Sequence, residues 1–175
     1  MDISTFYGVV AGINFTLLGL WWVAVLERAD LRRAGSRHGQ MAYVVSLQFL
    51  LPGAVALLSQ AAPTVAFVWR TAFLLGGVAG VVGIVMLVPI LLRTHLRTPA
   101  RLLLVLGVPL HTLVAIVAVL PELRSSFGLE LNSLQVEAIL FCLLVLLGAQ
   151  TAWTAAMAPS RDEARPAVPV QPSSD

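Results

Sequence analysis

Residues 71–92 read TAFLLGGVAGVVGIVMLVPILL, 22 positions without a charge, closed by Arg70 before and Arg93 after. A helix of that length runs about 33 Å, enough to cross the hydrocarbon core of a bilayer. Gly76, Gly77, Gly80 and Gly83 crowd its middle. In water each glycine would weaken a helix by roughly 1 kcal/mol. In lipid the backbone must stay hydrogen-bonded, and small residues let a second helix come close. At about 100° per residue, Gly76, Gly80 and Gly83 share one stripe, and Ala72 extends it by a turn. The pattern predicts a central packing helix with its neighbours arranged around it.

The composition agrees with that reading. Of 175 residues, 58% are apolar and 11% charged, and mean hydropathy is +0.89. A soluble domain carries about 25% charged residues, so the membrane class is favoured before any window is drawn. All 11 basic residues are arginine, which with the Ala, Val and Leu richness suggests a GC-rich, bacterial coding sequence. A net charge of +2 gives no footprint for nucleic acid. The single cysteine, Cys142, excludes an intrachain disulfide and a multi-cysteine metal site, and its apolar context reads as a small buried hydrophobe. No basic residue precedes the first apolar run and no A-x-A site follows it, so that run is expected to remain as a span.

Four further apolar stretches surround the first. The expected spans are about 4–26, 41–60, 71–92, 102–120 and 133–157, forming one five-helix domain over 1–158. The first contains Gly8, Gly12 and Gly19 on one stripe with Phe15, including a GxxxG spacing, and a second stripe of Tyr7, Asn14 and Trp21. Glu27–Gln40 is read as a polar loop. The second span holds Gln48 and Pro52; proline has no amide hydrogen, so the Gln48 carbonyl loses its helical partner. The fourth span carries Pro109 and His111. Asn132 and Gln135 have capping-box spacing at the start of the fifth. The tail, 159–175, holds four prolines with serines and scattered charges, and is expected to be a disordered cytoplasmic segment.

The arginines set the orientation. Four lie in the first connection, three in the third and two in the tail, against Arg70 and Arg124 on the other side. The positive-inside rule then puts the N-terminus outside and the C-terminus in the cytoplasm. The expected fold is an all-α integral membrane protein, a bundle of five transmembrane helices, N-out and C-in. The inner membrane of a bacterium is the expected location.

Polar groups inside hydrocarbon are costly unless satisfied, so they mark where function would sit. His111 falls near the midplane on a stripe of small residues, Gly107, Ala115 and Ala118. It is either a proton-handling imidazole or a neutral residue bonded to a neighbouring helix. Asn14 lies at similar depth, and Gln48 and Gln150 form a second layer, with Thr154 one turn beyond Gln150. These four, Asn14, Gln48, His111 and Gln150, can line a narrow polar path or serve as interhelical contacts worth about 0.6 to 2 kcal/mol each. Glu137 sits one turn into the fifth span, where it favours the positive end of the helix dipole; with Arg70 and Arg124 it forms a candidate outer rim. Gly8, Gly12, Gly76, Gly80 and Gly83 are the candidate helix-packing positions. The arginines on the other side are read as topology determinants that touch anionic lipid headgroups.

The motifs of common hydrolases and nucleotide enzymes are absent: there is no H-E-x-x-H, G-x-S-x-G or P-loop. No aspartate lies within a span. With one histidine at depth, bis-histidine haem is not expected, and no catalytic residue, metal or cofactor is assigned. No motif fixes a family. The expectation is a non-enzymatic membrane subunit or interaction module, homo-oligomeric or paired with another membrane protein. The alternative is a small channel or transporter-like protein with a path around His111 and Asn14.

Overall fold

The computed structural model of the chain describes residues 3–33, 35–93, 97–120 and 133–157. Every element in them is helical: α1 (Ile3–Glu27), α2 (Ala29–Arg32), α3 (Arg37–Ala61), α4 (Ala66–Arg93), α5 (Arg97–Val119) and α6 (Ser133–Ala156). Five of the six, all but the four-residue α2, are long and apolar enough to cross a membrane. They outrun the charge-free stretches because arginines occupy their ends: α3 starts at Arg37, and α4 extends back to Ala66 through Arg70. The first connection is not a plain loop. It folds into the short α2, and Ser36 then caps α3 by accepting from the Gly39 amide at 2.9 Å. The capping box at Asn132 and the tail from 159 lie outside the described residues.

Helix α3 packs on α1, α4 and α6; α4 packs on α5, α5 on α6, and α6 returns to α1. The central position therefore belongs to α3, not to the glycine-rich α4. Within their most apolar windows α3 is 56% buried and α4 28% buried. The glycines explain why. A methyl built on Gly76 would come within 2.8 Å of Val55 on α3, and one on Gly77 within 2.7 Å of the His111 carbonyl on α5. One on Gly80 would run into the His111 ring itself. The small residues thus form an arc shared between two neighbours. They bring α3 and α5 close to α4 without ringing it with partners.

On α1 the two stripes resolve clearly. Tyr7, Asn14 and Trp21 are buried at 1%, 0% and 4% exposure, and Gly12 and Gly19 meet nothing within 4 Å. Gly12, a candidate helix-packing position, makes no packing contact among the described residues. The aromatic and amide stripe buries far more area, so it takes the inner face. Gly8 still touches the bundle, since a methyl there would meet the Gln60 side chain at 2.6 Å. A methyl built on Gly83 would make ordinary contact with Val44 on α3, at 3.8 Å.

Helix α5 contains an irregular turn. Residues Leu103–Gly107 are wound as a π-helix, just before Pro109. Proline removes one amide and crowds the carbonyl four residues back, and a wider turn relieves both. That turn sets the level and direction of His111.

Candidate functional site

Gln48 on α3 and His111 on α5 face each other across the bundle interior. Both line a cavity with Pro52, Gly80 and Phe141, in which about 20 Å3 is open to the centre of a water molecule. Both also line a smaller void of about 10 Å3 beside Gly148. A water needs roughly 10–15 Å3 measured this way, so the pair of voids holds one or two. The Gln48 Oε1 is buried without a hydrogen-bond partner. The imidazole Nδ1 lies 2.9 Å from the Gly107 carbonyl, which can only accept, so Nδ1 carries the hydrogen. In the neutral ring Nε2 is then an acceptor. Two acceptors at the edge of a small polar void make a site for a hydrogen-bond donor such as water.

The other two members of the expected polar path are elsewhere. Asn14 is fully buried, and its amide donates to the Val10 carbonyl of its own helix at 2.9 Å. It packs beside Gly53 of α3, whose added methyl would touch the Asn14 Cβ at 3.3 Å. Gln150 lies on the exposed face of α6. The structure thus joins Gln48 and His111, and does not join Asn14 or Gln150 to them.

Of the expected outer rim, Glu137 and Arg70 are described. Glu137 is fully buried within the bundle, and neither carboxylate oxygen has a hydrogen-bond partner among the described residues. It shares a helix face with Leu134 and Phe141, three and four residues away. Those residues belong to an aromatic cluster in which the Phe73 and Phe141 ring centroids are 4.9 Å apart and Tyr7 stands edge-on to both. Arg70 makes no ion pair among the described residues; its guanidinium lies over the Trp69 ring, 5.3 Å from the centroid. Arg124 lies outside the described residues. Cys142, expected to be buried, is exposed on the bundle surface.

Most polar side chains in the spans are satisfied within their own helix. Thr16, Ser46, Ser59 and Thr151 each donate to the carbonyl four residues back at 2.8–2.9 Å, as hydroxyls in apolar helices do. The hydrogen bonds that cross between helices come from other residues. Tyr7 Oη donates to the Leu134 carbonyl of α6 at 2.7 Å, and Trp21 Nε1 to the Ala42 carbonyl of α3 at 3.0 Å. Arg28 Nη1 donates to the Ala156 carbonyl at the end of α6, 2.7 Å away. Its Nε and Nη2 grip both oxygens of Asp30 at 3.1 and 2.6 Å. That hydrogen bonding, helped by the guanidinium charge, holds the Asp30 carboxyl below its ordinary value despite partial burial. Sequence reading missed this clip because Arg28 looked like one more topology arginine. The R-x-D spacing directly after a span was the available signal.

Among the described residues no three His, Cys, Asp or Glu side chains gather as a metal site would require. Comparison with protein-family models, curated proteins and solved structures finds no match to this chain.

Proposed function

We propose that the chain is a non-enzymatic subunit or interaction module of a membrane assembly, oriented N-out and C-in by its arginines, in a bacterial inner membrane. The observation that carries this reading is the dispersal of the polar residues. Asn14 bonds its own helix, Gln150 is on the outside, and the Gln48–His111 void has room for one or two waters. A conduit needs polar groups in line through both leaflets. A second observation supports a subunit over a lone monomer. Gly12 and Gly19 meet nothing within 4 Å among the described residues, which leaves α1 a face on which another helix can approach closely.

The channel reading draws on the Gln48–His111 pair alone, and a flux measurement decides between the two. Proteoliposomes holding the native protein should carry no proton or potassium flux above empty liposomes, under either a pH gradient or a voltage. Flux that His111→Ala abolishes, at matched incorporation and with an unchanged elution profile, would overturn the subunit reading in favour of a conducting path.

A further inference from the structure

Two open grooves lie on the face formed by α1, α3 and α4, of about 750 and 460 Å3. They share Tyr43, Val44 and Met86, so they form one continuous furrow. Each alone falls in the range of about 300–1,000 Å3 in which proteins hold small ligands. One end is polar, with Arg32 and Gln40 at the mouth; the other runs along Val82 and Leu75. Tyr43 and Met86, 61% and 59% exposed, stand where the two parts join. Arg32 is exposed and has no carboxylate partner among the described residues.

Length and charge choose the occupant. Along α3 the furrow extends from Gly39 to Leu51, twelve residues or about 18 Å. One leaflet of hydrocarbon is about 15 Å deep. A partner helix crossing the membrane would need an apolar surface through both leaflets. The furrow, about 18 Å along α3 and about 22 Å along α4 from Ile90 to Leu75, falls short of both leaflets, and it opens at a guanidinium. We propose that it binds a single anionic phospholipid, with the phosphate at Arg32 and Gln40 and an acyl chain laid past Tyr43 and Met86 toward Leu75. The proposal rests on the chain being an integral membrane protein and is independent of whether it conducts ions.

The test is native mass spectrometry of protein exchanged into a neutral detergent, after incubation with dioleoyl phosphatidylglycerol or dioleoyl phosphatidylcholine. The native chain should retain one phosphatidylglycerol in clear preference to phosphatidylcholine. Arg32→Gln should lower that retention by about fivefold, the factor expected of one arginine near a charged headgroup. Arg101→Gln, remote from the furrow, should leave it unchanged. Val82→Trp and Met86→Trp, each placing an indole on an exposed wall, should abolish retention of both lipids with an unaltered elution profile. Equal retention of the two lipids would overturn the proposal, as would equal losses for Arg32→Gln and Arg101→Gln. So would efficient disulfide dimerisation in membranes of Tyr43→Cys in a Cys142→Ala background, since that would give the furrow to a second copy.

Discussion

The contact between Gly80 and His111 makes the sharpest demand on this packing. A methyl on Gly80 cannot coexist with the imidazole where it stands, and the ring is held there by its bond to the Gly107 carbonyl. In Gly80→Ala either the ring leaves, losing a bond worth about 0.6 kcal/mol in a membrane bundle, or α4 and α5 part. Overpacking of this kind costs about 1–3 kcal/mol. The gain in helix propensity from glycine to alanine offsets up to about 1 kcal/mol. With that offset in full the net loss is about 0–2 kcal/mol, which leaves Gly80→Ala about 1–3 kcal/mol less stable than a glycine-to-alanine change without a clash. His111→Ala vacates the space the methyl needs, so the double variant should recover most of the loss, with a coupling of at least about 1 kcal/mol. Reversible unfolding in mixed micelles, followed by far-UV circular dichroism, measures the cycle. Gly12→Ala is the control, because nothing lies within 4 Å of that position; it should be neutral or slightly stabilising. A coupling below about 0.5 kcal/mol, the ordinary scatter of independent sites, would refute the contact, as would a Gly80→Ala variant as stable as Gly12→Ala.

Other perturbations read other parts of the bundle. Glu137→Leu replaces a buried carboxyl without a hydrogen-bond partner by an apolar side chain, and should leave stability unchanged or raise it by about 1–3 kcal/mol; a marked loss in the same micellar unfolding assay would mean that the carboxyl has a partner. Tyr7→Phe deletes the hydroxyl bonded to Leu134 and should cost about 0.5–1.5 kcal/mol, with faster amide exchange confined to the start of α6. Asp30 has a folded value below its ordinary 3.8, so its pair with Arg28 contributes fully above that unfolded value. The contribution is lost as the pH falls through the folded value, below about pH 4. Thermal unfolding of the native chain and of Asp30→Asn should therefore differ by a constant amount from pH 5 to 7 and by progressively less as the pH falls below about 4, whereas a gap that does not change with pH would count against the pair. Gly12→Leu, on the outer face of α1, should reduce self-association or partner co-purification while leaving monomer stability intact; an unchanged assembly would remove that face from consideration.

The five long apolar helices were legible because the capacity to cross a membrane leaves its mark in composition, and long charge-free runs closed by arginine have few other uses. What the sequence could not say is how faces are allotted. The glycines of α4 suggested a central helix, yet small residues only permit close approach, and centrality went to α3 through contacts that no periodicity records. On α1 both stripes had helical spacing, and burial chose the one with Tyr7, Asn14 and Trp21 because it carries the larger side chains. The polar candidates came together only in part, as Gln48 with His111, for another reason. A hydroxyl, amide or imidazole within an apolar helix can reach a carbonyl one turn back, so depth alone does not imply a partner across the bundle.

That distinction bears on what holds the bundle together. Among the described residues, Tyr7, Trp21 and Arg28, in α1 or immediately after it, each send a side-chain hydrogen bond across to another long helix, and each bond ends on a backbone carbonyl. Two of them reach α6, at its first turn and at its last residue. Tyr7 and Arg28 are 21 residues apart and Leu134 and Ala156 are 22, or about 32 and 33 Å along two helices. The first and last spans are therefore parallel and stapled at both ends, with the staples separated by about the 30 Å of a hydrocarbon core. Staples so placed hold the two ends of the bundle, at about the separation that the two interfaces of a bilayer would have, and between them lie the glycine contacts of α4 with α3 and α5 and the Gln48–His111 void. Crossing bonds at the two ends, rather than polar groups in line through the middle, support the subunit reading proposed above over a conducting one.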